Sequence, residues 1–223
     1  MFPIKVTQPS YSRPIVTVLL IAANIMVFLY EFSLDPYSLD RFMRLYSLRP
    51  ANFHVENLLT HMFVHAGWLH VLGNMLFLWV FGDNVEDILG HGKYLLFYLL
   101  CGVTAGLAQM LIDPYSRVPM VGASGAIAGV MGAYLVKFPR SEVRMLAWFL
   151  FIFRFDVPAW LMLIYWFAMQ LFGGFGTVSE AAQGAQQGGT AFFAHIGGFI
   201  MGIILIHVMG TRQRYWRRRD LAW

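Results

Sequence analysis

The sequence predicts an all-α, polytopic membrane protein, a bundle of six membrane-spanning helices with both termini cytoplasmic, and three observations carry that prediction. Charged residues make up only 13% of the chain and apolar ones 58%, with mean hydropathy +0.59, whereas a soluble domain carries about 25% charged residues. Charge-poor stretches close to the roughly 20 residues that cross a bilayer recur along the chain. The basic residues also sort by side once the spans are counted. In such a chain the net charge of +4 reports orientation, and no DNA or RNA motif accompanies it.

The first span covers about Pro14 to Tyr30, after Lys5 and Arg13. A signal-peptide core is about 7–15 apolar residues followed by a small-residue cleavage site. This stretch is longer and runs into Phe28-Leu29-Tyr30-Glu31-Phe32, so it reads as an uncleaved helix. A polar connection from Ser33 to about His65 is long enough for an ordered loop with short helices. The second span runs from Gly67 to about Val85, with Asp83, Glu86 and Asp87 marking its exit. The third covers about Tyr94 to Ile112 and closes at Asp113-Pro114. The fourth covers about Met120 to Val136, and Lys137-Phe138-Pro139-Arg140 ends it with a helix breaker and positive charge.

Met145 to Phe153 is apolar but too short to span, and Arg154 and Asp156 interrupt it. The fifth helix therefore starts near Val157-Pro158, with proline in its first turn, and ends at Phe172-Gly173-Gly174. A loop rich in glycine, glutamine and alanine, about Phe175 to Thr190, precedes the sixth span, Ala191 to Met209. The organisation is then a short cytoplasmic N-terminus (1–13), a membrane domain (14–210) and a basic cytoplasmic tail (211–223) that reads as an interfacial anchor to anionic lipid.

Six spans put Lys5, Arg13, Lys93, Lys137, Arg140, Arg144, Arg154 and the tail arginines on one side, against Arg41, Arg44, Arg49 and Arg117 on the other, which makes the termini cytoplasmic. With no transit peptide ahead of the first span, a bacterial or archaeal plasma membrane is expected. Cys101, the one cysteine, excludes an intramolecular disulfide and has no metal-ligand spacing.

Two polar residues stand out in these spans. Ser124 sits in Gly122-Ala123-Ser124-Gly125-Ala126, and His195 in Ala194-His195-Ile196-Gly197-Gly198. An imidazole in hydrocarbon is expensive, so its presence points to function, and its natural partner chemistry is a serine nucleophile with a histidine base. Even-numbered spans all begin on the outer side, which puts His70, Asn74, Ser124 and His195 at one depth, around a shallow pocket reachable by water. His70 and Asn74 are four apart and share a helical face. Ser124 lies in a first turn, where free N–H groups and the positive dipole end favour negative charge. Ser124, Ala128 and Gly132 recur every four residues, as do Ala194, Gly198 and Gly202. Such stripes let backbones approach closely in lipid, with Gly129 and Gly197 adding room beside them.

These residues carry a resemblance to the rhomboid intramembrane serine proteases. Gly122-Ala123-Ser124-Gly125 is similar to that family's GxSG motif, and Ala194-His195 followed by Gly198 and Gly202 to its AHxxGxxxG motif. His65 followed by His70 and Asn74 resembles its HxxxxHxxxN stretch. The resemblance implies a six-helix rhomboid fold and a Ser124/His195 dyad that hydrolyses peptide bonds in or near transmembrane helices of substrate proteins in the bilayer. It further implies an oxyanion hole from the Ser124 N–H and the side chains of His70 and Asn74, a supporting role for His65, Gly122, Gly125, Gly198 and Gly202, and no metal or other cofactor. It suggests access between the second and fifth helices, with the Gly-rich Phe172 to Thr190 region as a gate. Many relatives carry an aromatic residue four after the serine, stacked on the histidine; Ala128 stands here instead, and the sequence does not choose among Tyr134, Trp166 and Phe199 as its replacement.

Other chemistries fit less well. His61 and His65 have helical metal-ligand spacing, but HExxH is missing. Helix interiors lack the aspartate pair of an intramembrane aspartyl protease, and there is no Walker A loop. A six-helix transporter would show paired intramembrane charges or inverted repeats, and a non-catalytic rhomboid-like binder of membrane helices would lack the serine or the histidine.

Overall fold

The computed structural model describes residues 2–148, 152–182 and 191–211; the basic tail beyond 211 and the second half of the expected Gly-rich loop, 183–190, fall outside the described residues. The chain is mostly helical. In order it forms β1 (Phe2–Val6), α1 (Ile15–Ser33), α2 (Pro36–Tyr46), a 3-10 turn (Pro50–Asn52), α3 (Asn57–Thr60), α4 (Trp68–Leu89), α5 (His91–Ile112), α6 (Ser124–Lys137), β2 (Glu142–Trp148), β3 (Ile152–Pro158), α7 (Ala159–Ala182) and α8 (Phe192–Val208). Among the described residues, three helices, α1, α5 and α7, are long and apolar enough to cross a membrane, while α6 and α8 are shorter apolar helices.

α6 is the centre of the bundle. Its residues from Gly125 to Tyr134 are all buried, and it is enclosed by α4, α5, α7 and, most extensively, α8. Glycine sets how close α8 comes: a Cβ at Gly198 would overlap the Gly125 carbonyl oxygen, and one at Gly202 the Gly129 carbonyl oxygen. The α8 stripe is the expected one. On α6, Gly132 of the expected stripe meets the Phe199 carbonyl oxygen, and Gly129, outside that stripe, adds a close approach to the Gly198 carbonyl oxygen. Gly197 points away from α6, with the space for its Cβ filled by Ala108 of α5.

The expected exit of the second span is a continuation. α4 runs through Asp83, Glu86 and Asp87 to Leu89, and burial of these carboxylates is compensated by the N-terminal segment. Glu86 accepts from the Val16 N–H (2.8 Å), the Thr17 N–H (2.8 Å) and the Thr17 hydroxyl (2.7 Å). It thereby caps α1, whose own N-cap Pro14 has no side chain to do so, and puts negative charge at the positive end of the helix dipole. Asp87 accepts from the Tyr11 N–H (3.0 Å) and Asp83 from the Ser10 hydroxyl (2.7 Å).

The expectation of an all-α chain needs correction. Glu142–Trp148 and Ile152–Pro158 pair as antiparallel strands where a short apolar break was expected, and β1 adds to them in the order β1-β2-β3. Exposed Glu142 and Arg144 alternate with buried Val143 and Met145, the period-two pattern of a half-buried strand. Asp156 lies opposite Arg144 and accepts two hydrogen bonds from it, at 2.8 and 2.9 Å. α7 then extends to Ala182 instead of stopping at Phe172-Gly173-Gly174, so the first part of the expected loop is helix.

The connection from 34 to 67 contains short helices, as expected. Asp35 caps α2 by accepting from the Tyr37 and Ser38 N–H groups at 3.0 and 3.2 Å. Fully buried Leu48 exchanges both backbone hydrogen bonds with Met120, at 3.0 and 2.8 Å, tying this connection to the extended segment just before α6.

Candidate active site

The segment entering α6 is shaped by one glycine. Gly122 has φ +113, a conformation that side chains disfavour, and its N–H donates to the His61 carbonyl oxygen at 2.8 Å. A Cβ there would lie 2.7 Å from the His70 ring and 3.5 Å from Asn74 Nδ2. The missing side chain is therefore what lets both α4 side chains approach the start of α6. α6 begins at Ser124, so its first N–H groups have no intrahelical acceptor.

Ser124 Oγ lies 2.8 Å from Nε2 of His195. The hydroxyl is half-buried and the imidazole is buried, 8% exposed. Gly125 and Gly198 meet directly beneath this pair, so the closeness of the α6 and α8 backbones sets the distance between the two side chains. Gln109 of α5 accepts from the Ala194 N–H at 3.3 Å and holds the first turn of α8.

His70 and Asn74 lie one turn apart on α4, beside Gly122. Asn74 Nδ2 is buried without a hydrogen-bond partner, a donor left free to meet something in the site. The His70 ring is half-buried, and its Nδ1 receives a long contact from the Ala66 N–H at 3.4 Å, which leaves Nε2 on the side of Gly122.

His65 lies behind this pair. Its ring meets that of His70 edge to face at 5.1 Å, its backbone N–H donates to both carboxylate oxygens of Glu31 at 3.2 and 3.3 Å, and its Nδ1 bonds the Phe63 carbonyl oxygen at 3.2 Å. Burial, with His70 adding a smaller effect, pushes the His65 imidazole down to about 4, so it is neutral at physiological pH. His61 is likewise held down to about 4 by burial, and its Nδ1 is engaged by the Asn57 carbonyl oxygen at 2.7 Å.

Every site residue expected from the sequence falls in or beside this cluster, while Gly202 lies one turn further along the α6–α8 contact. The sequence reading missed Gln170. Its Oε1 is 2.8 Å from His195 Nδ1, where a triad carboxylate would sit. Of the three aromatic residues left open, Trp166 is beside the histidine, with ring centroids 5.6 Å apart and planes inclined by 37°. Both residues come from α7. An amide and an indole in an apolar helix carry no local signal of this; a glutamine one turn after a tryptophan was the only hint available.

The arrangement is chemically capable of moving a proton from Ser124 Oγ to His195 while unpartnered N–H donors face the same space. The Rhomboid domain family model matches residues 52–212, which contain Ser124, His195, His70, Asn74, His65 and Gln170. The chain is 45% identical over 78 residues to Rhomboid protease GluP of Bacillus subtilis, covering 35% of this chain and 15% of that protein. It is 26% identical over 172 residues to Rhomboid protein 1, mitochondrial, of Saccharomyces cerevisiae (74% and 45%). It is 31% identical over 209 residues to the human Presenilin-associated rhomboid-like protein, mitochondrial (90% and 49%). In each case this chain spans less than half of the relative's length. With its apolar helices and a match over most of its length, the chain is a multi-pass membrane protein that belongs to the rhomboid family.

Proposed function

We propose that this chain is an intramembrane serine endopeptidase that hydrolyses peptide bonds in or near transmembrane helices of membrane proteins. The observation that carries this reading is the 2.8 Å contact between Ser124 Oγ and His195 Nε2 at the start of α6. Ser124 attacks the scissile carbonyl as its proton passes to His195 Nε2. The tetrahedral oxyanion is met by the Ser124 N–H, the Asn74 amide and His70 Nε2, donors that need no reorganisation as charge develops. His195 then gives its proton to the leaving amine, forming an acyl-enzyme, and water activated by the same imidazole releases the product.

In the proposed topology α1, α4, α5, α6, α7 and α8 cross the membrane, with both termini cytoplasmic. α6 has 14 residues and is roughly 21 Å long, shorter than the hydrocarbon core of about 30 Å. With Lys137 at the cytoplasmic interface, Ser124 lies below the outer surface in a pocket open to water, where hydrolysis can proceed. Backbone amides of a substrate helix are already hydrogen-bonded, so the scissile stretch must unwind before attack, and helix-destabilising residues favour cleavage. Entry between α4 and α7 suits this reading, since α7 rests mainly on α8 and presents Trp160, Ile164 and Tyr165 outward. A disulfide locking α7 to α4 is expected to reduce cleavage of an intact transmembrane substrate, and unchanged turnover would count against this route.

Reconstitution in liposomes with a single-span model substrate tests the activity. Ser124→Ala and His195→Ala should each abolish cleavage in folded protein, and a serine-directed covalent inhibitor should label only chains that retain the serine. Cleavage that survives Ser124→Ala but stops with a chelator would contradict the dyad.

A further inference from the structure

Resting on the dyad reading above, we infer that Gln170 is the positioning residue of His195: its side-chain oxygen accepts the Nδ1–H hydrogen bond and so fixes the tautomer whose bare Nε2 faces Ser124. A neutral imidazole has one N–H, and only the form protonated at Nδ1 can receive the serine proton. The orientation of the amide decides which form is held. A glutamine amide fits its density of neighbours in two ways related by a flip, but here its Nε2 donates to the Trp166 carbonyl oxygen at 3.2 Å. A flipped amide would set oxygen against oxygen at that contact. The amide oxygen therefore faces His195 Nδ1 at 2.8 Å, Nδ1 is the donor, and Nε2 is left to accept from Ser124 at 2.8 Å.

The result is one directed chain: the Ser124 hydroxyl to His195 Nε2, His195 Nδ1–H to Gln170 Oε1, and Gln170 Nε2–H to the Trp166 carbonyl. Gln170 and His195 are both 8% exposed, and the bond between them is buried, which shields it from competing water. The Trp166 ring limits rotation of the imidazole from the side. Together the two α7 residues replace the aromatic that Ala128 does not supply. An amide also suits a buried site better than a carboxylate. It presents the same acceptor geometry without the desolvation cost of a charge that has no cationic partner until His195 is protonated.

Two variants test this in liposomes, assayed beside Ser124→Ala. Q170L removes the acceptor and should lower kcat by about tenfold to a hundredfold, the effect of one buried hydrogen bond on the base, with KM unchanged within about twofold. Q170E, protonated, donates its hydroxyl to the Trp166 carbonyl and keeps an acceptor oxygen toward Nδ1, so it should retain more of kcat than Q170L by about fivefold or more. Nitrogen NMR of histidine-labelled protein should find His195 protonated at Nδ1 in the natural chain and in Q170E, and redistributed toward Nε2 in Q170L. Q170M carries the same test if thermal unfolding finds Q170L misfolded. Natural kcat in Q170L, or an unchanged His195 tautomer, would overturn the inference while an inactive Ser124→Ala left the dyad standing. An active Ser124→Ala would remove the dyad instead, and the histidine spectrum would still decide whether Gln170 sets the tautomer.

Discussion

Asn74 Nδ2 is buried, unpartnered and adjacent to the mouth of α6, and the proposed mechanism gives it the reaction oxyanion as its acceptor. Asn74→Ala should therefore lower kcat with little change in KM. By comparison with oxyanion donors in other serine proteases the loss is about 10²-fold, measured by steady-state kinetics on the model substrate; an equal loss in KM alone would assign Asn74 to substrate binding. His65 gives a prediction of a different kind. Its native imidazole titrates at about 4 because of burial, against about 6.5 in an unfolded chain. Above pH 6.5 both states are neutral and nothing is lost; as pH falls toward 4 the unfolded chain takes up a proton that the native one refuses, so stability falls through that window. The melting temperature in detergent should drop between pH 7 and 4, and less steeply in His65→Gln. An identical slope in the variant would rule His65 out as a contributor. At this scale the serine, the histidine and the α4 pair were legible, because polar side chains among glycines in membrane helices are conspicuous. Gln170 was not, since its partner lies on another helix and is set by tertiary contact alone.

Between elements, the α6–α8 contact carries the most precise geometry. A side chain at Gly198 would meet the Gly125 carbonyl, which is backbone and cannot turn aside. Gly198→Val should push α8 off α6, separate His195 from Ser124 and lower both melting temperature and activity. Gly176→Ala on α7, where nothing lies within 4 Å of the added carbon, should be tolerated in thermal unfolding. Full activity in Gly198→Val would refute the close-contact account. The α4–α1 contact is also testable: Glu86→Ala leaves two backbone N–H groups and a hydroxyl without their acceptor, a loss of about 1–3 kcal/mol for each that stays unsatisfied. Thermal unfolding should report a marked drop, and an unchanged melting temperature would mean that other groups cap α1. Helix starts were readable from hydropathy to within a few residues, but the end of α7 was not: Gly173 and Gly174 read as a stop, and the helix runs on to Ala182. The α4 extension was not readable either, because Asp83, Glu86 and Asp87 look like an exit until their partners around Ser10 to Thr17 are known. The strands at 142–158 did carry a period-two pattern, but their length and the intervening apolar run disguised it as a failed span.

For the whole molecule, the proposed topology sets the start of a short central helix in an aqueous pocket within the bilayer. The half-buried Ser124 and His70, against buried Asn74 and His195, agree with water reaching the reacting atoms from one side only. Reporter fusions at the two ends should both read as cytoplasmic, and opposite readings would break the six-span topology. Substrates with glycine or proline at the scissile region should be cut faster than the same span filled with leucine, because the helix there unwinds at lower cost; indifference to these residues would mean that unwinding does not limit turnover. The central claim is that Ser124, paired with His195, is the nucleophile of an intramembrane hydrolysis, and it is tested most directly by one comparison: product formed from a single-span substrate in liposomes by the natural chain and by folded Ser124→Ala at equal protein. The account predicts cleavage by the first and none by the second, whereas equal product from both would contradict it.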